Sequence, residues 1–155
     1  MAEINIFRIV DRGRPQMVSY TTSTGLSWFK PFKVAAIALR PGAQNAFAFN
    51  WQNPESCQIM IHLLAINLTT ASGAASTMDI GTAVATDTAA ANLLDTLNIN
   101  TTGWFNGYTA VSAGTPIQVV DENGGTTAWV TGQILDNTGL TLAGTIYIIY
   151  TTLDF

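Results

Sequence analysis

From residue 33 onward, short runs of apolar and β-branched residues alternate with short runs of turn formers. Residues 33–40 are rich in Ala, Val and Ile and stop at Pro41-Gly42. Residues 44–51 alternate strictly, with Phe47, Phe49 and Trp51 on one face and Ala46, Ala48 and Asn50 on the other, until Asn53-Pro54 ends the run. This period of two predicts β-strands. Residues 57–69 form a longer run that is apolar on both faces. Such a strand is covered on both sides, either by its own fold or by a neighbouring subunit. Further strands are predicted at 77–83, 116–121, 126–135 and 144–152. Glu122-Asn123-Gly124-Gly125 reads as a hairpin turn between two of them, because Asn-Gly supplies the positive φ such turns require.

One stretch breaks the pattern. Ala89-Ala90-Ala91-Asn92-Leu93-Leu94-Asp95-Thr96-Leu97 has good helix formers and places Leu93, Leu94 and Leu97 on one face. With Asp87 or Thr88 as its cap it predicts a short helix. Seven or eight short strands and one short helix give an all-β expectation, a jelly-roll-like β-sandwich. An immunoglobulin-like sandwich is less suited, since the Cys-Trp-Cys framework is missing. Before residue 33, Gly13, Pro15 and Pro31 interrupt any long element, so residues 1–32 are expected to form an extended N-terminal arm beside a 33–155 sandwich domain. The arm ends in Trp28-Phe29-Lys30-Pro31-Phe32, too apolar for a solvated linker.

Composition adds a functional constraint. Of 155 residues, 48% are hydrophobic and only 10% charged, against about 25% charged in an average soluble protein. A neutral, Thr- and Asn-rich surface suits a chain that is largely covered by neighbours better than a dispersed monomer. The charge is also segregated. Arg8, Arg12, Arg14, Lys30, Lys33 and Arg40 are the only cations and face just Glu3 and Asp11 within the first 40 residues, whereas all other acids lie beyond. A basic arm docking on an acidic partner surface is the expectation. Nucleic acid is not expected, because the cations are spread out and the formal net charge is -4. No apolar run is long enough for a membrane span. No secretory leader is legible, so synthesis in the host cytoplasm is expected and the sequons at Asn67 and Asn100 are expected to be silent.

Catalytic chemistry finds little support. Cys57 is the only cysteine and His62 the only histidine. A triad or a zinc site needs partners at defined spacing, and none is present. A strand histidine satisfied by a neighbour is the simpler reading of His62. Asp79, Asp87 and Asp95 offer oxygen ligands, together with carbonyls, for a loop calcium site, although turn formation and helix capping are the favoured account of them. No cofactor is expected. Trp51, Trp104 and Trp129 suit either core and interface anchoring or, in an exposed row, stacking on sugars as in a carbohydrate-binding module; the alternation around Trp129 favours the former.

Met78-Asp79-Ile80-Gly81-Thr82-Ala83, Ala91-Asn92-Leu93-Leu94-Asp95-Thr96-Leu97-Asn98 and Thr101-Thr102-Gly103, with the closing run from Gly139 to Tyr150, resemble small structural proteins encoded beside the major capsid genes of tailed bacteriophages. The resemblance covers roughly residues 57–152. It implies a non-enzymatic head decoration, or cement, protein: a homotrimer held on the outer capsid surface by contacts with the major capsid protein, and hence located in the virion. Tail, fibre or receptor-binding components share these features. Arg8, Arg12, Arg14, Trp28, Phe29 and Phe32 are the expected capsid or subunit contacts, from their charge and aromatic character.

Overall fold

The computed structural model describes residues 31–106, 118–136 and 140–153. The chain divides into two units, Met1–Pro31 and Phe32–Phe155, and every strand below belongs to the second. Nine strands follow one another: β1 (Lys33–Leu39), β2 (Phe47–Gln52), β3 (Ile59–Thr70), β4 (Thr77–Ala83), β5 (Leu94–Asn98), β6 (Gly103–Asn106), β7 (Gln118–Val120), β8 (Trp129–Leu135) and β9 (Ala143–Thr152). They form two antiparallel sheets. The first has the order β1-β9-β3-β6, with β7 pairing on β3 beside β6, and the second has the order β2-β8-β4-β5. Most connections cross from one sheet to the other.

A single apolar core lies between the sheets. Ile59, Ile61, Leu64, Ile66 and Leu68 of β3 meet Ile146 and Ile148 of β9 on one side, and Phe49, Met78, Ile80, Val130 and Ile134 come from the other sheet. All of these are buried. Two irregularities shape the core. β3 shifts register against β9 between Ile61 and Leu63, so the inward phase passes from Ile59 and Ile61 to Leu64, Ile66 and Leu68. A bulge of this kind adds one residue and re-aims the side chains beyond it. It accounts for much of the two-sided apolar character of this run. The second irregularity lies between Phe47 and Phe49, where β2 shifts against β8 and both Ala48 and Phe49 become buried. The Phe49 ring lies over Gly132, where any Cβ would collide with it.

The structure corrects the expected jelly-roll-like sandwich with one short helix to an all-β, two-sheet fold with no closed barrel, and no helix occurs among the described residues. Residues 84–93 form a loop, and Leu94–Asn98 is a strand paired with β4. Local side chains explain the change. The Asn92 Oδ1 accepts the Thr82 N–H at 2.8 Å and its Nδ2 donates to Thr82 Oγ1 at 2.7 Å. The Leu93 N–H donates to the Ile80 carbonyl at 3.0 Å, and the Thr96 N–H to Asp79 Oδ1 at 2.8 Å. Asn, Asp and Thr thus offer the backbone an alternative to helical bonds, and pairing with β4 takes it. Leu93, Leu94 and Leu97 still reach the core, from the end of the loop and an irregular strand rather than from a helix.

Other boundaries shift modestly. β1 and β4 match their predicted runs closely, β3 begins after Cys57, and β6 was not foreseen. The turn at Glu122–Gly125 exists, with the Gly125 N–H donating to the Glu122 carbonyl at 2.8 Å. It does not close a hairpin, because β7 and β8 belong to different sheets.

Candidate functional site

The outward face of the β1-β9-β3-β6 sheet is built by the residues that alternate with the core positions. Cross-strand rows run Val34–Ile149–Leu63, then Ala36–Tyr147–Ala65–Asn106, then Ala38–Thr145–Asn67–Trp104. Toward the other end, Met60 lies between Thr151 and Val119. No described residue in these rows carries a charge. Val34 is 60% exposed, Val119 and Trp104 are exposed too, and Ala36 and Ala38 are open to solvent.

The face has two ends of different character. At one, Phe32 is 58% exposed and sets its ring edge-on to His62, with centroids 5.0 Å apart and planes at 86°. His62 Nε2 and Thr151 Oγ1 are 2.8 Å apart, so the histidine is engaged by a neighbouring strand. Val34, Ile149, Leu63 and Met60 occupy the neighbouring outward positions at this end of the sheet. At the other end, Trp104 stacks on Tyr147, with centroids 5.7 Å apart and planes at 23°. Its cross-strand neighbours there are polar, Asn67 and Thr145.

The rim near Lys33 is fastened by a separate polar cluster. Lys33 Nζ donates to Glu55 Oε1 at 2.7 Å, and the Tyr150 hydroxyl donates to the same oxygen at 3.1 Å. Burial pushes the Tyr150 phenol up to about 12, with the Glu55 bond and charge adding to it. Trp51 leans on the Tyr150 ring at 5.5 Å. Asn53, fully buried, donates to the carbonyls of Cys57 and Asp121 and accepts the Glu55 N–H, which holds the loop that carries Glu55.

The outward face of the other sheet differs. Residues 84–92 fold across it: Thr131 Oγ1 donates to the Thr88 carbonyl at 2.8 Å, and a Cβ on Gly81 would lie 2.6 Å from Ala90. Beside this loop the face is polar and acidic. Asp79 is raised above the ordinary carboxylate range, first by burial and then by the nearby Asp95 and Asp136, against the lowering effect of the Thr96 N–H. Asp136 also accepts a bond from Thr77 Oγ1 at 2.8 Å.

Of the contact residues expected from sequence, Phe32 lies on the apolar end of the first face, while Arg8, Arg12, Arg14, Trp28 and Phe29 fall outside the described residues. Asp79, Asp87 and Asp95 do not assemble into a metal-holding group among the described residues. The tryptophans separate: Trp51 and Trp129 are half-buried, whereas Trp104 is 66% exposed. Val34, Tyr147 and Ile149 were missed as face residues. The alternation of β1 and β9 contained that information, but only once the inward phase was known. No protein-family model, curated protein or solved structure matches the chain.

Proposed function

We propose that the protein is a structural subunit of a virus particle, a decoration or cement protein that binds the outer capsid surface and stabilises the head, and that it acts as a homotrimer. The observation that carries this reading is the uncharged, apolar end of the first outer face, around Phe32, Val34, Leu63 and Ile149. An apolar surface of this kind on a β-sandwich marks a contact site. Every described acid lies off this face, so close approach of two negatively charged copies meets the least repulsion there. Around a three-fold axis, one flank of the face on each copy meets a different flank on the next, a head-to-tail contact that closes after three subunits. The cations of residues 1–40 supply attraction to an acidic capsid surface. Two packed antiparallel sheets serve viral coat domains and lectins alike, so the architecture accommodates this function without specifying it.

The test is direct mixing. Purified protein is added to undecorated capsids and the bound fraction is measured for the wild type and for Phe32→Ala. An aromatic anchor is worth about 2 kcal/mol or more when it is a hot spot, so the variant should bind markedly less while keeping its β spectrum. Failure of the wild-type protein to bind undecorated capsids would reject the decoration reading.

A further inference from the structure

Trp104 is placed unlike any other large apolar side chain described here. It stands on a short strand at the sheet edge and is 66% exposed, yet its ring is held in register. The next residue, Phe105, packs against the core, and the backbone pairs Trp104 with Asn67 and Gly103 with Leu68. One π face lies against Tyr147 at 5.7 Å and 23°. A tryptophan serving as core would turn inward, as Phe105 does. One serving as an apolar anchor would sit among aliphatic neighbours, and those gather at the opposite end of the sheet. The side chains nearest to Trp104 along its own cross-strand row are instead an amide, Asn67, and a hydroxyl, Thr145.

We propose that Trp104, Tyr147, Asn67 and Thr145 form a binding platform for a neutral sugar. A pyranose ring has an apolar face of C–H groups and a rim of hydroxyls. The flat aromatic surface covers the first, while an amide with both donor and acceptor capacity, and a hydroxyl, meet the second. The absence of charge from this face among the described residues selects neutral sugars over sialylated or phosphorylated ones. Stacked nucleobases would use the same aromatic surface, but their phosphates require cations beside it, and this face presents none among the described residues. Because the platform and the apolar end are separate parts of one sheet, the inference stands independently of the assembly proposed above.

The full chain is screened against an array of neutral oligosaccharides, with hexamers of glucose, mannose, galactose and N-acetylglucosamine alongside sialylated glycans. The best neutral binder is then titrated by tryptophan fluorescence. Binding should be saturable, and Trp104→Ala should weaken it by roughly tenfold or more, a tenfold loss being about 1.4 kcal/mol. Trp104→Phe should restore part of the affinity, because it keeps a stacking surface. Asn67→Ala should reduce discrimination among sugars that differ in hydroxyl orientation. Circular dichroism provides the folding control. No saturable signal from any neutral sugar, unchanged affinity in Trp104→Ala, or preference for the sialylated glycans would overturn the proposal. So would a Trp104→Ala protein that binds sugar normally but no longer attaches to capsids, since that result would make the tryptophan a protein contact.

Discussion

Over the β2-β8-β4-β5 sheet the chain lays its own loop, residues 84–92, whereas the β1-β9-β3-β6 sheet carries an outer face of Val, Ile, Leu, Ala and aromatic side chains that remains open to solvent at Val34, Ala36, Ala38, Val119 and Trp104. The difference is chemical as well as steric. Beside the loop, the covered sheet presents Asp79, Asp95 and Asp136, while the open face presents no charge among the described residues. A sandwich needs only its inner faces to fold, since the core between the sheets supplies the burial. The outer face that is apolar but not needed for the core is the one we propose as a contact site, whereas the other is covered by its own loop at Thr131 and Gly81.

Small residues at matched places on the two faces give the largest contrast. Gly81 lies directly beneath Ala90 and Asn92. Gly81→Val should therefore lift the loop or distort β4, at a cost of about 2 kcal/mol. Ala36→Val, on the open face, should change stability by about 0.5 kcal/mol or less. Urea denaturation of both variants checks the pair. Equal costs would mean that the loop is not packed on its sheet.

A second contrast uses alkaline pH. Tyr150 ties the end of β9 to Glu55, and its phenol is raised to about 12. Because the folded value lies above the unfolded one, near 10, the folded state holds this proton more tightly. The associated stability is complete below about pH 10 and is lost as pH rises toward about 12. Thermal melts across that range should show the decline in the wild type and a flatter profile in Tyr150→Phe. The variant should also start lower, having lost one hydrogen bond, a cost of about 1 kcal/mol.

The smallest effect belongs to the acidic face. Asp79 is raised chiefly by burial, so its ionisation opposes folding as pH climbs through the carboxylate range. Asp79→Asn keeps an acceptor for the Thr96 N–H and removes the charge beside Asp95 and Asp136. A slight rise in melting temperature near pH 7, vanishing near pH 3 where the aspartate is protonated, is expected. A fall near pH 7 would show that the carboxylate makes a net favourable contribution.

Strand positions were largely legible from sequence because alternation and turn formers agree. Val34 to Leu39 between two prolines, and Thr77 to Ala83, needed no tertiary information. The helix expectation failed where local propensity and pairing disagree: three alanines favour a helix, while Asn92, Asp79 and Thr96 fix the backbone to β4 from a distance that sequence spacing does not reveal. The bulge at His62 was equally hidden, because an extra residue in an apolar run resembles simple two-sided burial. The open face was half legible. The apolar run from Ile59 to Leu68 drew attention to β3, but the bulge accounts for much of its two-sided character, and which side chains share the open face depends on the pairing of β1, β9 and β6. The Trp104–Tyr147 pair, brought together from strands far apart in the chain, left no local signal at all.

The apolar end of the open face as a subunit contact is tested most directly by light scattering on the wild-type protein and on Val34→Asp. Val34 is exposed and faces outward opposite Ile149, so the aspartate should fold normally yet place a charge at the centre of the contact. The wild type is expected to be a trimer at micromolar concentration and the variant a monomer with an unchanged β spectrum. A wild-type monomer at that concentration, or a variant that remains a trimer, would contradict the assignment of this face to assembly.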